Sequence, residues 1–107
     1  MLMITSGKGK HRVTLKQQKI GGDLLLVLQG GEQPHVGAVV VCEPGKKLKI
    51  IRLGSHKDHI VLESLARTAA NKYETTVVVV GGIHIDCATK EDIDKIIQNC
   101  KEIESCI

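Results

Sequence analysis

The sequence predicts an α+β fold: a mostly antiparallel sheet, built as a four-stranded meander plus a fifth strand, with two helices on one face. Three observations lead there. The first half of the chain is filled by strand-sized stretches of aliphatic and β-branched residues, bounded by glycine and proline turns. The second half carries two stretches with apolar residues at helical period, each opened by capping-box spacing. Between those two lies a run of valines, Val77 to Val80, which is too short and too β-branched for a helix.

His11 to Ile20 alternates around Val13 and Leu15, and Gly21-Gly22-Asp23 turns the chain into the apolar run Leu24 to Leu28. A polar, glycine-rich loop follows. Val36 to Cys42 makes a third strand, Glu43-Pro44-Gly45-Lys46 a turn, and Leu48 to Leu53 a fourth strand alternating with Lys49 and Arg52. Ser55-His56-Lys57-Asp58 has capping-box spacing, and Leu62, Leu65, Ala66, Ala69 and Tyr73 set a helix over about His56 to Tyr73. Thr75 to Val80 is the fifth strand. Thr89-Lys90-Glu91-Asp92 repeats the capping box ahead of the stripe Ile93, Ile96, Ile97, Cys100 and Ile103. Because Leu24 to Leu28 and Val77 to Val80 are apolar at consecutive positions, both sheet faces call for cover. Two helices cover one face, so the sequence predicts a homodimer for the other.

At 107 residues and 42% hydrophobic, residues 1–107 form a single domain. The apolar runs fall short of the ~18 to 20 residues that cross a bilayer, and the N-terminal stretch is too polar for a secretory signal. The expectation is a cytoplasmic protein away from the membrane. Cys42, Cys87, Cys100 and Cys106 show no C-x-x-C pair or disulfide framework, which points to reduced thiols, with Cys42 and Cys100 as small core residues. The net charge of +3 gathers in Lys8 to Lys19 and in Lys46, Lys47, Lys49, Arg52 and Lys57. A basic nucleic-acid-binding module is one alternative reading of those charges. The chain has no Phe or Trp and only Tyr73 as an aromatic, so the stacking platforms of single-strand readers are missing.

The chemistry-bearing residues gather where the apolar strands end. In Gly30-Gly31-Glu32-Gln33-Pro34-His35-Val36-Gly37, Gly30 and Gly31 allow positive φ or a close backbone approach, and Pro34 fixes the angle at which His35 is presented. Val77 to Val80 likewise runs into Gly81-Gly82-Ile83-His84, and His56 stands at a helix start. Each histidine alone reads first as a hydrogen-bonded structural residue; three that converge bring a shared site level with that reading. Two chemistries suit them. One is an anion cradle from the helix start, with His56, Lys57, the N–H groups near Asp58 and those of the glycine pairs receiving a phosphate or carboxylate. The other is a divalent metal held by His35, His56 and His84, with Glu63 or Asp86 nearby and His59 and Glu63 sharing a helix face. A catalytic triad is less attractive, since no serine has nucleophile-elbow context.

These segments in this order resemble the small D subunit of the gallate and related hydroxyarylic acid decarboxylases, a family of prenylated flavin chaperones. The resemblance rests on Gly30-Gly31-x-x-Pro34-His35-Val36-Gly37, then His56-Lys57-Asp58 with Glu63, then Gly82-Ile83-His84 with Thr89-Lys90. It implies a non-catalytic accessory protein that binds prenylated FMN made by a flavin prenyltransferase, then protects it or delivers it to a prenylated-flavin-dependent decarboxylase. Carried over, Gly30, Gly31, Pro34, His35, His56, Lys57, Asp58, Glu63, Gly82 and His84 are the cofactor-binding positions. His35, His56 and His84 are those for a metal bridging the phosphate. His59 lies outside the shared pattern, and with so few aromatics any flavin ring must pack on aliphatic side chains or a second subunit. The rival from the residues alone is a small histidine-metal-dependent hydrolase or lyase with Glu63 or Asp86 as general base.

Overall fold

The structure is a computed structural model, and it describes residues 2–54 and 58–107. In chain order it holds β1 (Leu2–Ser6), a short 3-10 turn (Gly9–His11), β2 (Val13–Ile20), β3 (Asp23–Gly31), β4 (Ala38–Cys42) and β5 (Lys49–Arg52). Then come α1 (His59–Tyr73), β6 (Val77–His84) and α2 (Lys90–Ser105). The strands form one six-stranded sheet in the order β1-β2-β3-β6-β4-β5.

The class is α+β as predicted, but the sheet is mixed and larger than the sequence suggested. β1 adds an outer strand antiparallel to β2, and its short, mostly exposed LMITS segment gives little pattern to read. The expected meander is also split. β6 enters between the β2–β3 and β4–β5 hairpins, parallel to β3 and antiparallel to β4. The physical reason lies in the two most apolar runs, Leu24 to Leu28 and Val77 to Val80, which take the middle of the sheet, where neighbours shield them on both edges. The parallel pairing is possible because a long connection, including α1, carries the chain from β3 back to β6.

Side chains then divide by strand period. Val13, Leu15, Leu24, Leu26, Leu28, Ala38, Val40, Val77 and Val79 face the helices and are buried with Leu62, Leu65, Ala66 and Ala69 of α1 and Ile96, Cys100 and Ile103 of α2. Leu25, Val27, Val39, Val41, Val78 and Val80 alternate with them and are half-buried on the opposite face. α1 packs over β4 and β6, whereas α2 packs over β1 and β2, so a gap between the helices opens above the sheet. The expected apolar stripe of α2 is correspondingly split: Ile96, Cys100 and Ile103 enter the core, while Ile93 and Ile97 stay exposed. Tyr73, expected in the core stripe of α1, is exposed too, with the Lys72 ammonium 5.4 Å from its ring centre. Among the described residues, no helix is long and apolar enough to cross a membrane.

The start of α2 is fixed by the predicted capping box. Thr89 Oγ1 accepts the Asp92 N–H at 3.1 Å, and Asp92 Oδ2 accepts the Thr89 N–H at 3.0 Å. Asp92 Oδ1 also lies 2.8 Å from His11 Nε2 and 3.4 Å from Lys10 Nζ, which ties the 3-10 turn to the helix. The Thr89 N–H first, and the His11 ring second, hold the Asp92 carboxyl well below the usual carboxylate range. A carboxyl whose folded pKa is depressed stabilises the fold above its ordinary pKa of 3.8 and loses that contribution as pH falls toward the folded value. Denaturant titrations at stepped pH should therefore show stability falling below about pH 4, with Asp92→Ala flattening that acid limb. An unchanged limb in the variant would remove Asp92 as its source. Thr89→Ala, which loses only the cap, should cost about 1 kcal/mol at neutral pH.

Candidate functional site

The glycine pairs read as loops lie inside strands. β3 continues through Gly30 and Gly31, and β6 through Gly81, Gly82, Ile83 and His84, in parallel register with Gly30 opposite Ile83 and Gly31 opposite His84. Close approach is what demands glycine here. At Gly31 a Cβ would lie 2.3 Å from the His84 carbonyl oxygen, and at Gly81 1.8 Å from that of Leu28. The loop after β3 is then latched to the end of β6. The N–H groups of Glu32 and Gln33 both donate to the His84 carbonyl, at 2.8 and 3.2 Å, and Glu32 Oε1 accepts the Asp86 N–H at 3.1 Å.

This latch brings His35 beside His84, their rings 6.0 Å apart and nearly perpendicular. His35 Nδ1 lies 3.3 Å from the Gln33 carbonyl oxygen, a spacing that fits the proton on Nδ1. Its Nε2 lies 3.3 Å from Asp58 Oδ2, and His84 Nε2 lies 2.8 Å from Asp86 Oδ1. Asp58 is the hub. As first residue before α1 it has helical backbone angles and makes no side-chain cap; instead its Oδ1 accepts the Ile83 N–H at 3.1 Å. Gly37 closes the arrangement: its N–H donates to Gly81 O at 2.8 Å, and a Cβ there would lie 2.1 Å from Asp58 Oδ2.

The structure thus joins Gly30, Gly31, His35, Asp58, Gly82 and His84 at one end of the sheet, with Pro34 on the exposed loop between them. Glu63 is half-buried on α1 and belongs to neither of the two pockets described below. His56 and Lys57, with Ser55 of the expected capping box, lie outside the described residues.

Of the glycine N–H groups read as anion donors, that of Gly31 is engaged by Arg12 O at 3.2 Å, while His56 and Lys57, the cationic part of that cradle, lie outside the described residues. Among the described residues, no group of three His, Cys, Asp or Glu side chains is placed to hold an ion, and His35 and His84 each turn Nε2 to a different carboxylate; His56, the third metal ligand read from the sequence, lies outside those residues. His59, paired by spacing with Glu63, has a buried Nδ1 with no hydrogen-bond partner among the described residues.

Two pockets flank this end of the sheet. One is a groove of about 520 Å³ between α1 and α2, starting at Asp58 and floored by Ile83, Ile85, Ile96 and Cys100. Burial, with help from the Asp58 and Glu104 charges, pushes the Cys100 thiol up to about 12, so the floor is uncharged at neutral pH. The other, about 330 Å³, is walled by Arg12, Thr14, Lys16 and Gln29 beside Gly30, Gly31 and Pro34. Neither was foreseen. The one available signal for the groove was the breadth of the α2 stripe, where Ile93 and Ile97 widen it beyond what a single packing contact uses.

Residues 7–106 match the family model of the prenylated flavin chaperone LpdD-like domain. Protein LpdD of Lactiplantibacillus plantarum is 28% identical over 98 residues, covering 87% of this chain and 72% of that protein. Among solved structures, a chain in a novel chaperone complex for yeast 20S proteasome assembly aligns with a TM-score of 0.60. That alignment covers 99% of this chain and 95% of the other at 12% identity, so the likeness is one of fold.

Gly37→Ala tests the hub directly. The added methyl must displace the Asp58 carboxylate, so the Ile83 amide should lose its acceptor and exchange its proton with solvent at least about tenfold faster, as expected for losing a hydrogen bond of roughly 1.5 kcal/mol or more. Far-ultraviolet dichroism should stay native. Unaltered exchange at Ile83 would show that the carboxylate does not sit where Gly37 confines it.

Proposed function

The chain belongs to the prenylated flavin chaperone LpdD-like family, and from that premise we propose that it is a single-domain, cytoplasmic accessory protein that binds prenylated FMN reversibly. It receives the cofactor after synthesis by a flavin prenyltransferase and protects or hands it to a prenylated-flavin-dependent decarboxylase, catalysing nothing itself. The observation that carries this reading is the convergence of the loop Gly30–Gly37 with Asp58 and the end of β6, beside the larger apolar groove. A concave apolar surface with a few convergent polar groups is the usual form of a small-molecule site.

In this proposal Gly30, Gly31, Pro34, His35, Asp58, Gly82 and His84 form the rigid margin against which the cofactor rests, with Glu63 a further position matched by resemblance. The glycines let backbone approach closely, and the Asp58 carboxylate lies 3.3 Å from the His35 ring. His56 and Lys57 immediately precede Asp58 in sequence and supply positive charge for the phosphate. The prenylated flavin brings the chemistry that the partner decarboxylase uses; the residues here bind and orient it. The half-buried face of Leu25, Val27, Val39, Val41, Val78 and Val80 supports a homodimer as the working form.

The test is to produce the protein together with a flavin prenyltransferase, purify it without oxygen and record the visible spectrum and bound cofactor per subunit. The wild type should carry close to one equivalent. His35→Ala should stay folded but retain at least about tenfold less, equivalent to 1.4 kcal/mol or more of binding. Wild-type protein with no bound prenylated flavin by mass spectrometry would refute the function, and full retention by His35→Ala would remove that residue from the site.

A further inference from the structure

The groove between α1 and α2 has features that the core does not require. Ile60, Ile93 and Ile97 line it with exposures of 58%, 50% and 39%, although each is an aliphatic side chain beside a hydrophobic interior. Its floor of Ile83, Ile85, Ile96 and the neutral Cys100 is apolar, and its polar groups lie apart: Asp58 at one end, with Ser64, Lys101 and Glu104. Ser64 Oγ donates to Glu104 Oε1 at 2.6 Å, joining the two helices. A volume of about 520 Å³ falls in the range of pockets for single small ligands, roughly 300 to 1,000 Å³.

We infer that this groove holds the ring system of the flavin, so that its apolar edge lies on the isoleucines and its heteroatom edge faces the polar end at Asp58. The inference rests on the cofactor reading above and adds where the tricycle lies. Continuity decides the occupant. Asp58 lines the groove, accepts the Ile83 N–H and contacts His35, so one side chain belongs to both the apolar slot and the polar margin. Ile83 does the same from the sheet, lining the groove while its Cγ1 lies 3.2 Å from where a Gly30 Cβ would stand. A flat, largely apolar molecule with one polar edge matches this pattern. The pocket at Arg12 and Lys16 is lined with polar and cationic groups, so it does not enclose a tricycle on apolar walls.

Isoleucine methyl NMR reads the location directly. Adding lumiflavin, the tricycle without its ribityl phosphate, to the empty protein should shift the Ile60, Ile93 and Ile97 methyls through ring currents and leave Ile20 and Ile51 in place. Cofactor retention after co-production should fall at least tenfold in Ile97→Glu and be unchanged in Tyr73→Glu, both at exposed positions. If the wild type retains cofactor but the groove methyls do not move, or if Tyr73→Glu alone loses it, the groove assignment is wrong while the function stands. If lumiflavin shifts the groove methyls but the co-produced protein holds no prenylated flavin, the ring site stands and the chaperone reading falls. Groove methyls that shift with protein concentration alone, and not with lumiflavin, would assign the slot to a second copy of the chain and overturn the inference.

Discussion

Two adjacent central strands approach so closely at their glycines that no Cβ fits between them, and the site depends on that approach. Gly81 has φ +145° and its missing side chain would overlap the Leu28 carbonyl. Because the backbone passes there, β3 and β6 stay paired to Gly31 and His84, beyond the last large aliphatic residues of either strand. The parallel register then places the loop after β3 next to the segment after β6. Antiparallel neighbours would send those two chain ends to opposite ends of the sheet. The convergence of His35 with His84 is therefore a consequence of topology, and glycine is the residue that permits it.

Asp58 shows how local and tertiary demands compete for one carboxylate. An aspartate just before a helix ordinarily caps the first turn. Here Oδ1 goes to the Ile83 amide while Oδ2, which makes no hydrogen bond among the described residues, lies 3.3 Å from His35 Nε2, and α1 begins without that cap. At α2 the competition is resolved differently: Asp92 completes its capping box and also reaches His11. The helix with the better local start is the one whose acidic residue serves structure alone. A carboxylate that leaves its own helix uncapped to accept a strand amide breaks a local rule, and such departures gather at sites where other demands outweigh stability.

Much of this was legible from residue pattern. The helices, the Thr89–Asp92 box and the strand alternation follow from local rules, and the repeated Gly-Gly followed by histidine located one end of the sheet. Strand order was not legible, because a run such as Leu24 to Leu28 states only that it is central and not which neighbour it takes. The setting of the glycines was hidden for a related reason. From sequence a Gly-Gly segment resembles a loop, whereas here both pairs lie inside strands and the Gly31 N–H is engaged by the Arg12 carbonyl. The groove was hidden because Ile93 and Ile97 share the helical period of true core residues; only the placement of α1 over β4 and β6, away from α2, leaves them uncovered.

That separation of the helices also bears on how a carrier lets go of its cargo. A binding site rich in tryptophan or tyrosine adds ring-on-ring stacking to burial, of about 0.5 to 1.5 kcal/mol per pair. The groove walls are aliphatic, and the sole aromatic residue, Tyr73, lies at the far end of α1 from Asp58. A flavin ring held there gains about 25 cal/mol per Å² of apolar area covered, with no stacking term to overcome on departure. Under the cofactor reading, the scarcity of aromatics is what makes the site suited to transfer: the polar margin at His35 and Asp58 sets the orientation, and aliphatic walls shelter the ring without gripping it. An enzyme that keeps its flavin through many turnovers has the opposite requirement.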